Sequence, residues 1–302
     1  MNTDSPALPT PSLRFADLVE LTKPRITLMV VITAAVGFLL ADSATGGAGS
    51  FPFVLLLHTL VGTGLVAGSG SALNQVIEKD LDGRMARTSR RPLPAGRLDP
   101  ELALGFGVLL AMVGLAHLYF AVNPLTALLG ASTLVGYLFL YTPLKRISSL
   151  ATIVGAAPGA VPPLMGWAGY ADDLAPGAWA LFGILFLWQL PHFLAIAWMY
   201  REDYAQGGYP MLPVVRPDGA ATARQAVLWA AALVPLSLLP SALGLTGAVY
   251  AGGAFLLGTA YLAASIAFGF RPDRPSARRL LLTSVLYLPA LLIVMLVDRL
   301  VA

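Results

Sequence analysis

The 302-residue chain contains no cysteine, which excludes disulfides, thiolate metal sites, iron-sulfur clusters and a cysteine nucleophile. Histidine is almost as scarce. His58, His117 and His192 are the whole set, too few for a zinc site built from histidine clusters. Charge is thin as well, with 12% Asp, Glu, Lys and Arg against 57% hydrophobic residues, a balance that belongs to a membrane protein whose outer surface meets lipid. The amino-terminal stretch is rich in Pro, Ser and Thr and lacks a basic start followed by an apolar run. Residues 1–17 are therefore expected to form a disordered cytoplasmic tail rather than a signal or transit peptide, with 18–302 as a single transmembrane domain.

What is present in abundance is apolar sequence of bilayer-crossing length. Stretches near 24–41, 51–73, 101–121, 124–142, 149–169, 176–200, 222–242, 246–270 and 278–298 predict nine transmembrane helices in an all-α integral membrane protein. Lys and Arg orient them, because they stay on the cytoplasmic side. Lys23 and Arg25 precede the first stretch, Lys79 to Arg97 follow the second, Lys145 and Arg146 the fourth, Arg201 to Arg224 the sixth and Arg271 to Arg279 the eighth. The opposite loops carry Asp42, Asp172 and Asp173, and only Arg299 lies outside. Nine crossings put the amino terminus in the cytoplasm and the carboxyl terminus outside, in a bacterial inner membrane.

The scarce charge is concentrated. NQVIEKDLDGRMARTSRRPLP (74–94) places Asn74, Glu78 and Asp82 at i, i+4 and i+8, one face of a helix that outruns the membrane. Oxygen ligands on one face suit Mg2+, which takes one or two carboxylates and completes its shell with water and phosphate oxygens. Neighbouring Lys79, Arg87 and Arg91 suit the remaining phosphate charge, Arg through bidentate contacts. A solvated positive-inside loop is the plainer reading of that spacing alone. A second acidic stretch, WMYREDYAQGGYPMLP (198–213), adds Glu202 and Asp203 at the same depth, as for metals on two sides of one diphosphate. YTPLKR (141–146) adds Tyr141, Lys145 and Arg146 for the same anion.

With these motifs in order, the chain resembles the UbiA superfamily of intramembrane prenyltransferases over about residues 18 to 298. The likeness rests on LTKPRIT (21–27), the 74–94 motif, YTPLKR, GAAPGAVPPLMGW (155–167) and the stretch from Trp188 to Pro213. That last stretch, with PHF and REDY, is similar to the heme-modifying branch rather than the quinone or chlorophyll branches. Glu78 stands where the superfamily usually has Asp, and tyrosines at 200 and 204 flank Glu202 and Asp203 where carboxylates four apart are common. The resemblance implies farnesyl diphosphate and heme b as substrates, one or two Mg2+ ions, and a downstream heme A synthase as partner. It implies catalytic roles for Asn74, Glu78, Asp82 and Lys145, and metal contacts from Asn74, Glu78, Asp82, Glu202 and Asp203. Diphosphate contacts fall to Lys79, Arg87, Arg91, Tyr141, Lys145 and Arg146.

His192 lies inside the sixth stretch after Pro191, and an intramembrane ionisable residue is a functional candidate, here toward heme. A histidine satisfying a backbone carbonyl freed by proline is the structural alternative. Gly155, Gly159 and Gly166 suit close approach of a helix or of a flat ligand. Three competing readings remain. A prenyltransferase with another aromatic acceptor shares the metal half of the site. A transporter is disfavoured by acids clustered at the surface rather than the midplane. A heme carrier without catalysis leaves Asn74, Glu78 and Asp82 without work.

Overall fold

In a computed structural model the described residues are 15–46 and 50–301. They form α1 (Phe15–Leu21), α2 (Pro24–Ala44), α3 (Phe53–Asp82), α4 (Pro100–Ala121) and α5 (Pro124–Val135). A π-helical turn (Gly136–Tyr141) leads into α6 (Thr142–Leu144), then come α7 (Ala151–Ala160), α8 (Pro162–Ala171), α9 (Pro176–Met199), α10 (Arg201–Gln206) and α11 (Leu212–Val215). The chain ends with α12 (Ala220–Ser237), α13 (Leu239–Ala242), α14 (Ala248–Phe270) and α15 (Arg274–Val301). Helix starts follow local chemistry. Asp99 accepts from Glu101 N at 2.7 Å ahead of Pro100, and Asn123 accepts from Thr126 N at 2.8 Å ahead of Pro124. Most of the expected tail lies outside the described residues, but its last three residues belong to α1, where buried Asp17 pairs with Arg97 at 2.5 Å.

Among the described residues eight helices are long and apolar enough to cross a membrane, where nine were expected. The fifth expected span is split into the ten-residue α7 and α8. Pro162 and Pro163 lack the N–H groups that would close onto Pro158 and Gly159, so the helix cannot run through. Gln189 of α9 ties α7 to its neighbour by donating to Ala156 O at 2.8 Å. α8 lies so close to α2 that a Cβ at Gly166 would collide with the carbonyl of Ala34. That glycine and Gly155 therefore serve helix and side-chain packing, not a flat ligand.

α9 is the most enclosed of the eight spans, packed by α7 and α8 on one side and by α12 and α15 on the other. The largest apolar cluster surrounds it, including Leu181, Ile184, Leu194 and Trp198. Large apolar side chains such as Phe120, Leu128 and Phe270 point outward, as lipid requires. His58 and His117 hydrogen-bond each other at 3.2 Å between α3 and α4, far from the acidic residues in sequence and depth.

Candidate active site

The last turns of α3 run on without a break to Asp82, so the four-residue spacing holds and Asn74, Glu78 and Asp82 are all buried. Burying carboxylates is expensive unless they are paired, and each has a cation. Lys145 Nζ lies 3.1 Å from both oxygens of Glu78, and Arg91 Nη1 lies 2.6 Å from Asp82 Oδ2. Thr88 ties the next loop back by donating to Asp82 O at 2.7 Å, which brings Arg91 round to its partner. Asn74 donates to Thr142 Oγ1 at 3.1 Å, and Thr142 in turn donates to Tyr137 O at 2.8 Å.

Lys145 reaches the cluster because of the π turn. Pro143 cannot supply the N–H of a regular helical repeat there, and the extra residue in the turn re-aims the chain beyond it. Tyr137 and Tyr141 stack at 5.4 Å, and a Cβ at Gly155 would strike the Tyr141 ring. Burial works against the Lys145 ammonium, but Tyr141 and Glu78 outweigh it, and its pKa lies above the usual lysine range. The residue stays charged at any physiological pH.

The second acidic stretch behaves differently. Glu202 is 86% exposed beside Arg201 and turns away from the cluster, and Asp203 has no side-chain ion pair or hydrogen bond among the described residues. Among those residues no three His, Asp or Glu side chains gather, and Glu202 stands apart from the buried face of Glu78 and Asp82. What this segment contributes is aromatic. Arg87 sits 5.2 Å from the Tyr200 ring and 5.0 Å from the Tyr204 ring, and donates to Tyr204 Oη at 3.2 Å. Two of the expected diphosphate cations also point elsewhere. Arg146 is exposed and donates to Ile77 O at 2.9 Å, while Lys79, one residue off the acidic face, lines a separate surface cleft of about 390 Å³ with Asp80 and Asp99.

Two site residues escaped the sequence reading. Tyr209 is buried with its ring 4.4 Å from Lys145 Nζ, and its hydroxyl has no hydrogen-bond partner among the described residues. Burial pushes that phenol above its ordinary pKa, so it remains a donor. The Gly-Gly-Tyr-Pro turn was its only signal. Lys23 was read as a topological cation. Instead it takes a left-handed backbone conformation (φ 48°) between α1 and Pro24 and lies in the field of Arg91, Glu78, Lys145 and Asp82. Burial, followed by the charge of Arg91, lowers its pKa to about 8. Lys23, Arg87, Arg91 and Lys145 outnumber Glu78 and Asp82, so this end of the bundle is prepared for an anion.

The residues also fit a hard cation brought in with that anion. Asn74 Oδ1 and Asp82 Oδ1 accept no hydrogen bond from the described residues, and Glu78 uses both oxygens toward a single ammonium, leaving lone pairs. Lys145 stands at this site, and α9 runs toward it from Pro176 to the tyrosines that hold Arg87. Together α7 and α8 therefore carry the chain from this end of the bundle to the other.

The UbiA prenyltransferase family profile matches residues 30–288. A protoheme IX farnesyltransferase of Solibacter usitatus is 48% identical over 94% of this chain and 98% of its own length. One from Salinibacter ruber is 48% identical over 93% and 98%. The solved structure of a UbiA homolog from Archaeoglobus fulgidus bound to DMAPP and Mg2+ superposes with a TM-score of 0.61 at 15% identity, over 93% of this chain and 99% of that one. An all-helical bundle whose charged side chains gather at the ends of its helices, matched over most of its length, belongs to the UbiA prenyltransferase family.

Proposed function

We propose that the protein transfers the farnesyl group of farnesyl diphosphate to a vinyl group of heme b, giving heme O and diphosphate. The observation that carries the transferase half is the buried face of Asn74, Glu78 and Asp82 surrounded by an excess of cations. The heme half rests on the near full-length likeness to protoheme IX farnesyltransferases. Arg91, Lys145, Lys23 and Arg87 hold the diphosphate, and the Tyr209 hydroxyl donates to one of its oxygens. These fixed donors meet the negative charge that grows on the leaving group as the carbon–oxygen bond breaks, where preorganised electrostatics lower the barrier most. Asn74, Glu78 and Asp82 would hold Mg2+, which supplies further charge neutralisation for the departing diphosphate. Asp203, half-buried at the mouth of the site, is left as an outer acid, and Lys79 and Arg146 are assigned to membrane-surface anchoring.

The electron pair of the broken bond leaves with the diphosphate. The allylic cation alkylates the vinyl carbon, water adds to the cation formed on the porphyrin side chain, and a proton is released. Tyr137 and Tyr141 wall the site with aromatic surface and limit early capture of the cation by water. No covalent enzyme intermediate is needed, in keeping with a chain without cysteine. His192 is assigned to the heme, and heme A synthase is the partner expected to receive the product.

Eight long helices with the α7–α8 pair as one further crossing leave the amino terminus cytoplasmic and the carboxyl terminus outside a bacterial inner membrane. The position of every basic cluster at one end supports that arrangement. The test is to supply membranes containing the protein with heme b, farnesyl diphosphate and Mg2+, and to analyse the extracted hemes by mass. Heme O from wild type, lost with chelator or in Asp82→Ala that still inserts, is the expected result. Well-folded protein that makes no farnesylated heme overturns the assignment, and aromatic acceptors assayed next show whether another acceptor takes its place.

A further inference from the structure

His192 and Ser284 form a polar contact that the diphosphate chemistry does not use. The two lie on α9 and α15, with His192 Nδ1 2.7 Å from Ser284 Oγ. Ser284 Oγ is also 2.6 Å from Leu281 O in its own helix. A carbonyl oxygen cannot donate, and two oxygens at that distance need a proton between them, so the hydroxyl hydrogen belongs to Leu281 O. Ser284 Oγ is then left to accept, and His192 Nδ1 must carry the hydrogen that it accepts. In the neutral ring this leaves the lone pair on Nε2, the nitrogen facing away from α15. Nε2 has no hydrogen-bond partner among the described residues and is not sealed off.

The ring is fixed in other ways as well. Trp188, one turn earlier, stacks on it at 5.2 Å with 26° between planes, and Trp188 Nε1 donates to Ser284 O at 2.7 Å. Pro191 loosens α9 here by removing an N–H, and Tyr261 braces the turn by donating to Trp188 O at 3.0 Å. The alternative role for His192, filling the Leu187 carbonyl freed by Pro191, is not what the ring does, since its Nδ1 meets the Ser284 hydroxyl. His192 is eight residues before Tyr200, a rise of about 12 Å along the helix from the diphosphate cluster.

We infer that His192 Nε2 is an axial ligand to the iron of the heme substrate, and that Ser284 is the positioning residue that fixes the tautomer able to ligate. The inference rests on the heme reading above and extends it. A metal-ligating histidine ordinarily gives its other N–H to an oxygen acceptor, and that bond sets which nitrogen is free.

The experiment titrates ferric heme b, and separately iron-free protoporphyrin IX, into the purified full-length protein in lipid nanodiscs, read by absorption and electron paramagnetic resonance. Wild type is expected to show an imidazole-ligated heme spectrum. His192→Ala should lose that signature and regain it with added imidazole, while binding iron-free protoporphyrin as wild type does. Ser284→Ala should weaken ferric heme binding about tenfold and broaden the spectrum, and Ser284→Thr, which keeps the hydroxyl, should restore both. An unchanged heme spectrum in His192→Ala overturns the ligation. Equal loss of heme and iron-free porphyrin in Ser284→Ala, unrepaired by Thr, overturns the positioning role. If wild type takes up neither porphyrin, the heme reading itself falls.

Discussion

Two acidic segments end helices at the same end of the bundle, yet only one sends its carboxylates inside. α3 continues as one helix to Asp82, and the i, i+4, i+8 spacing becomes a single buried face. α9 stops at Met199, Tyr200 leaves helical geometry (φ −113°, ψ 25°), and α10 begins with a new rotation. After that break Glu202 points to water while Tyr204 and Tyr209 turn inward. Spacing along a sequence predicts a shared face only while the helix persists.

The largest effect should come from the first segment. Glu78→Gln and Asp82→Asn keep the shape of their side chains and an oxygen facing each cation, while removing the charge that compensates it, a loss of about 3–5 kcal/mol for a buried pair. Each should lower kcat by about 100-fold or more with the protein still inserted, as measured by heme O formation. An activity within tenfold of wild type would remove these carboxylates from the reaction.

Tyr209→Phe deletes only a hydroxyl that has no hydrogen-bond partner among the described residues. Activity should fall about tenfold, the scale of one donor to an anion, while thermal stability holds or rises because a buried donor no longer goes unsatisfied. A drop in stability without loss of turnover would make Tyr209 a packing residue.

Lys23 gives a pH effect of smaller size. Diphosphate binds its protonated form, which predominates below a pKa of about 8 and is lost above it. The KM for farnesyl diphosphate should be flat to pH 7 and climb toward tenfold per unit beyond pH 8, whereas Lys23→Arg should stay flat to pH 9. Parallel profiles for the two proteins would assign the dependence to another group.

The smallest effects should mark the outward side of the comparison. Glu202→Ala and Arg146→Ala should each leave kcat/KM within about twofold, since both side chains are exposed and screened. A large loss in Glu202→Ala would restore the two-clamp arrangement and show that α10 rotates when substrate binds.

The membrane-spanning class, most of the helices, the acidic face on α3 and the nearness of Lys145 to it were all legible in the amino-acid order. These depend on composition, on length against the bilayer and on the period of one unbroken helix. Packing settled the rest. It turned Glu202, Lys79 and Arg146 outward, and brought Lys23 and Tyr209 into the cluster. It also paired His192 with Ser284 across 92 positions of sequence. A break or a π turn changes the direction of every side chain after it, and contacts between distant helices leave no local period to read.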